Sequence, residues 1–300
     1  MVDNFLLLVQ NPSFALDVVL NGLLAGAIFA LAAYGMSLVW GVLNIVNIVQ
    51  GELVMLGGYI VLVTMGHGVP SYLALPLASV AMFAVGWGLY YTVIFRVVEK
   101  DIFISILATF GLSIVIQQLM NTVFGSDVRS IDTGLGSFYM LDGAVTIAWI
   151  KVIAFALALA SGGLLWLFLR HARMGQAIRA TAQNPRAAHI LGINTDRVYA
   201  MTYGLNGALC GAAGGLAVMA WNIQPYIGLP YTVRSFMIVV VAGLGNVGGV
   251  IVAGLSLGAL ENVAGFVLGA EYQIAFVFAL MVLILVWRNW RAVRRRAYLS

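Results

Sequence analysis

Eight apolar runs divide this chain, at about 18–40, 53–66, 70–95, 102–120, 146–169, 198–221, 234–257 and 271–287. Most of them approach the ~20 residues that carry a helix across the hydrocarbon core of a bilayer. Hydrophobic residues make up 62% of the chain and charged residues 9%, against about 25% charged in soluble domains. The expected fold is an all-α polytopic membrane protein of about eight transmembrane helices, a single transmembrane unit over 1–300, because the connections leave no room for a soluble domain. The 34 glycines suit close helix packing in lipid. Asp3 and the lack of Lys or Arg before Arg96 give the N-terminus no basic leader region, so it is expected to be retained.

The charges sort by side. Arg96 and Lys100 form one basic cluster. A second fills the loop 170–197, where Arg170, Arg173, Arg179, Arg186 and Arg197 stand against Asp196. A third is the tail 288–300, with Arg288, Arg291, Arg294, Arg295 and Arg296. Short basic loops stay in the cytoplasm. These clusters are therefore membrane-end charges with a secondary affinity for anionic lipid, not a nucleic-acid surface. The segment 121–145 opposes Asp127, Asp132 and Asp142 to Arg129, and reads as an external loop or surface helix. Eight simple crossings with 96–101 inside would place the basic tail outside, so one run must be re-entrant or split. Glycine and asparagine interrupt 41–66 and 234–270, and discontinuous helices are expected in both. Both regions follow the break with a glutamate, as an internal repeat around a central site would.

Within the loop 170–197, Ile178, Ala182, Ala187, Ile190 and Leu191 recur near the helical period. Pro185 interrupts them and Gly192 suits a helix end. A compact amphipathic helix at the cytoplasmic face is the expected outcome.

Polar residues among apolar ones mark candidate sites. Asn44, Asn47, Gln50, Gly51 and Glu52 form one cluster, with Asn44 and Asn47 spaced to share a helix face. Glu52 reads either as a helix-start carboxylate near water or as part of a solute path, since a carboxylate at membrane depth needs a partner or water. Gly243, Gly245 and Gly248 match G-x-G-x-x-G, but their flanks SFMIVVVA and GVIVAG read as membrane, so a broken or tightly packed helix replaces a nucleotide loop. Gly245 and Asn246 join the path candidates there, with Glu261 beyond them as a buried carboxylate. Gly254-Leu255-Ser256-Leu257-Gly258 has no strand-to-helix turn for a nucleophile and reads as helix packing, as does the ladder Gly207, Gly211, Gly215. Cys210 is the only cysteine, a packed thiol, and no metal-ligand pattern is present. Neither Lys100 nor Lys151 sits in a phosphate-binding loop, so any ATP must be bound by another chain.

Three blocks then become recognisable. GMSLVWGVLNIVNIVQGELVMLGGY (35–59), GQAIRATAQNPRAAHILGINTDRVYAMTYGLNGALCGAAGGL (175–216) and VVAGLGNVGGVIVAGLSLGALEN (240–262) resemble, in order, the branched-chain amino-acid ABC permeases of the LivH type. The resemblance implies a bacterial inner-membrane importer subunit without a cofactor or catalytic activity of its own. Its implied partners are a second permease of the LivM type, two ATPases carrying ATP and Mg, and a periplasmic binding protein. The family's ATPase-contacting motif maps onto Arg186, Ala187, Ala188 and Gly192. Two positions depart from the family. Arg186 stands where Glu is usual, which removes an acidic docking contact. Gln50 stands where His is common, and its neutrality argues against a proton-linked role. Relatives that import urea, short amides or other small carboxylates define the alternative substrates. An ATP-independent secondary transporter is the competing class.

Overall fold

The computed structural model describes residues 2–140, 143–243 and 245–297. Asp142 lies outside the described residues, as do the side chains of Arg288, Arg291, Arg294, Arg295 and Arg296. A short α1 (Val2–Gln10) leads into the long α2 (Pro12–Leu43), then α3 (Gln50–Gly66), α4 (Ser71–Thr92) and α5 (Ile102–Phe124). A hairpin of β1 (Ser137–Met140) and β2 (Val145–Ala148) precedes α6 (Trp149–His171). The short helices α7 (Arg173–Gln183) and α8 (Pro185–Ile190) follow, then α9 (Thr195–Ala220), α10 (Gly228–Ala242), α11 (Val247–Leu268) and α12 (Gln273–Ala297).

Among the described residues, seven helices are long and apolar enough to cross a membrane, and α3 and α10 are shorter apolar helices. The chain is a multi-pass membrane protein. The run 234–257 is two helices, parted at Gly243–Asn246 by glycines at φ +86° and +73°. With α3 and α10 counted, the apolar helices of the described residues number nine, an odd number that removes the parity conflict. Arg96, Lys100, α7, α8 and the end of α12 gather at one end, here the basic end. The start of α2 and the hairpin lie at the other.

Glycine contacts set the helix pairs. A Cβ on Gly22 would lie 2.7 Å from the Gly258 carbonyl oxygen, and one on Gly254 2.6 Å from Ala30 Cβ, so α2 and α11 cross backbone to backbone. Gly211 brings α9 against α4, where a Cβ would sit 2.8 Å from Ala78 O. On its other face, Gly214 lies so close to Val54 O of α3 that a Cβ would overlap it. The G-x-S-x-G and GxxxG patterns are packing surfaces.

Three local expectations change. The segment 121–145 is neither loop nor surface helix throughout. Its last part is an antiparallel hairpin with Phe138 opposite Ile147, and Val145 and Ile147 are buried. Asp17 Oδ1 accepts from Thr146 N (2.8 Å) and Asn21 Nδ2 donates to Thr146 O (3.0 Å), which pins the hairpin to α2. The basic tail is continuous with α12 up to Ala297. The amphipathic seam of the loop 170–197 also fails to continue past Pro185. Asn184 is extended (φ −156°, ψ 102°) and redirects the chain. Ile178 and Ala188 therefore face inward, while Ala182, Ala187, Ile190 and Leu191 face solvent.

Gly214→Val is expected to lower the unfolding midpoint of the detergent-solubilised protein strongly, since overpacking costs about 1–3 kcal/mol or more. Gly163→Val, where a Cβ meets nothing within 4 Å, leaves it unchanged in the same thermal scan.

Candidate functional site

The first broken helix builds the site. Asn44 closes α2 in the left-handed conformation (φ 52°), and its N–H donates to Trp40 O at 3.2 Å. The chain then climbs back into the bundle without a helical ladder until Gln50. Gln50 Nε2 donates to Ala32 O (2.9 Å), 11 residues before the end of α2. At ~1.5 Å per residue, α3 starts about 16 Å inside that end.

Bare peptide groups at this depth cost several kcal/mol each unless satisfied. Two threonines satisfy several of them. Thr109 of α5 accepts from Ile48 N (3.2 Å) and lies 3.1 Å from Val46 O. Thr232 of α10 accepts from Gly51 N (2.8 Å) and donates to Ile48 O (3.0 Å). Behind them, Tyr203 OH donates to Asn47 Oδ1 (3.1 Å) and Asn47 Nδ2 donates to Gln50 Oε1 (3.0 Å). Asn47 and Gln50 are fully buried. Their amides are spent on each other and on Tyr203, Ala32 O and Cys210.

Glu52 is different. It is 1% exposed, and Oε1 accepts from Ser113 Oγ of α5 at 3.3 Å. Oε2 has no hydrogen-bond partner. The carboxylate lies in the first turn of α3 and packs on Gly228, the first residue of α10, where any side chain would collide with it. Two helix N-termini thus converge on one carboxyl group, the end of a helix at which an acidic side chain is favoured. The glycine pair is required by the same approach, because a Cβ on Gly51 would overlap Gly228 O.

The other candidates are elsewhere. Asn44 does not share a helix face with Asn47. It is exposed and lines a cavity of about 680 Å³ at the basic end with Gly245, Lys100, Glu99 and Arg186. Asn246 caps α11, accepting from Gly249 N at 3.0 Å. Glu261 takes Arg234 Nε on both oxygens (3.0 and 2.9 Å), and Arg234 Nη2 joins the same pair. The two breaks are unlike, the first buried and the second exposed, and the repeat reading gains no support. Arg186 and Ala187 are exposed, Ala188 is buried, and Gly192 ends α8 at φ +84°. Ile190 and Leu191 beside it are 84% and 81% exposed.

Sequence reasoning missed Arg234, Thr232 and Thr109. Arg234 was detectable, because an arginine between LPYTV and SFMIVVVAG requires a buried counter-charge. The threonines carry no such signal. Among the described residues, no group of three or more His, Cys, Asp or Glu is placed to hold a metal.

A glycine-packed helical bundle with half-helices meeting inside the membrane defines a solute-translocating membrane protein as its class. The comparisons give the family. The family model described as branched-chain amino acid transport system, permease component, matches residues 18–285. The high-affinity branched-chain amino acid transport system permease protein LivH of Salmonella typhimurium is 32% identical over 293 residues, covering 91% of this chain and 93% of that protein. LivH of Escherichia coli K12 matches with the same identity and coverage. BraD of Pseudomonas aeruginosa, a permease of the same name class, is 29% identical over 287 residues, with 91% and 94% covered. The chain belongs to the branched-chain amino acid transport permease family.

Glu52→Gln keeps the shape but removes the ionisable carboxyl group at the two helix starts. Uptake is expected to fall about tenfold while the amount of assembled protein in the membrane stays near wild type. Initial-rate transport alongside quantitative blotting checks this, and unchanged kinetics would reduce Glu52 to a helix-end residue.

Proposed function

We propose that this chain is the membrane-spanning permease subunit of an ATP-driven importer of branched-chain amino acids in a bacterial inner membrane. The basic end faces the cytoplasm, in keeping with the positive-inside rule. A second, LivM-type permease completes the path, two ATPase subunits bind ATP and Mg, and a periplasmic binding protein delivers the cargo. The family membership and the coverage of LivH and BraD support the cargo class.

The observation that carries the mechanism is the helix pair α7–α8. It projects at the basic end and presents Ile190 and Leu191 outward, a large apolar pair with none of the described residues over it. Cavities of about 550 and 680 Å³ flank Arg186 and Pro185 beneath it. A soluble ATPase seats on the apolar pair, and the cavities leave room for α8 to move when the ATPases close. Gly192 ends α8 in a conformation that costs an L-residue ~1–2 kcal/mol. Arg186 meets an acidic surface on the ATPase here, the reverse of the charge usual in the family. The path runs past the α3–α10 junction, where two helices start and Gly228 packs directly on Glu52. An element with two discrete arrangements is what alternating access needs.

Three experiments test this reading. Purification in mild detergent is expected to recover two ATPases and a related permease, and the chain alone would favour a secondary transporter. In proteoliposomes of the assembled complex, ATP-dependent uptake of [14C]leucine is expected and uptake of [14C]urea is not. Gly192→Glu is expected to retain ATP hydrolysis while leucine uptake drops about tenfold or more. Full uptake by that variant removes α8 from coupling.

A further inference from the structure

A chamber of about 340 Å³ opens in the half of the bundle away from the basic end, between α2, α6, α10, α11 and α12. Its size falls within the ~300–1,000 Å³ usual for small-molecule sites. Its wall carries both signs of charge. Arg234 commits Nε and Nη2 to Glu261, and its guanidinium lies 4.8 Å over the Phe29 ring and 5.9 Å from Tyr231, with Nη1 outside the ion pair. Lys151, in the first turn of α6, donates to Asn21 Oδ1 at 2.8 Å. The nearby Asp17 carboxylate is engaged by Thr146 N and Asn21 Nδ2. The lining therefore holds two cations and one carboxylate. Its apolar side is aromatic, with Phe29 and Trp221 stacked at 5.9 Å and 15° and Tyr231 edge-on to Phe29.

A neutral solute has no use for such a wall. A small zwitterion with an apolar side chain matches each part of it. We propose that the chamber is a binding site for the amino-acid cargo within this subunit. Lys151 and Arg234 Nη1 receive the α-carboxylate, Glu261 takes the ammonium, and Phe29, Trp221 and Tyr231 hold the branched side chain. This rests on the amino-acid importer reading above. It also links the cargo mechanically to the α3–α10 junction. Ile227, Pro230 and Tyr231 of the α10 start face the chamber, while Gly228 and Thr232 of the same turn hold Glu52 and Gly51. Occupancy on one face of that turn is felt on the other.

The test uses the assembled complex in proteoliposomes. Cys210, the only native cysteine, is fully buried, so a thiol reagent reads an introduced Ile274→Cys, which is 42% exposed and lines the chamber. Millimolar leucine is expected to slow its labelling. Isoamylamine, which lacks the carboxylate, and 4-methylpentanoate, which lacks the ammonium, are expected not to. Lys151→Met is expected to raise the KM for leucine about tenfold or more, the effect of losing a charge-assisted contact. Ile274→Cys complex that imports leucine without slowed labelling, or a KM unmoved in Lys151→Met, overturns the chamber site and leaves the importer reading intact. Wild-type complex that imports no branched-chain amino acid overturns the importer reading itself.

Discussion

A chain that breaks its helix inside a membrane must find partners for every peptide group it frees, because no water is there to take them. In this protein two threonine hydroxyls meet part of that requirement. Thr109 and Thr232 bond the connector from opposite sides, and in doing so tie α5 and α10 to the start of α3. The position of Glu52 follows from this. Its carboxylate is brought to the first residue of α10 because Thr232, one turn on, is already bonded to Gly51. Loss of either threonine would release both the backbone and the carboxylate.

Around that junction the bundle divides by how tightly its helices are held. The pairs α2–α11 and α4–α9 are locked through glycines whose Cα atoms take the place of side chains. By contrast, α5 buries only Ser105, Thr109, Ile116 and Met120, and the described part of α12 buries Val277. Long apolar faces of α5, including Phe103, Leu107 and Leu119, remain open. Such faces suit lipid and, in the proposed assembly, the second permease. The rigid pairs act as a frame, and the half-helices are the elements with freedom to shift.

Much of this was legible in the residues, for physical reasons that can be named. Apolar run length gave the spans, and glycine with asparagine gave both breaks. The arginine clusters gave the sided ends, and the parity conflict already required a split run. Periodicity failed where a single extended residue, Asn184, redirected the chain and turned Ile190 and Leu191 outward. The pairing of Asn44 with Asn47 failed because spacing assumes a continuous helix, and Asn44 adopts the left-handed turn that ends one. Glu52 was found as an anomaly, but its neighbours Gly228, Ser113 and Thr232 are more than 60 positions away and leave no local mark. Arg234 left one, as an arginine in an apolar stretch, whereas its pairing with Glu261 is a tertiary fact.

The central claim is that α3 and α10 meet at Glu52 as separable half-helices whose junction opens during the cycle. The direct measurement is a distance distribution between spin labels at Val63 of α3 and Leu229 of α10, both exposed, in the assembled complex without nucleotide and with bound ATP. The account predicts two distributions whose populations exchange on ATP binding. One unchanging distribution in both states, with transport intact, would contradict it.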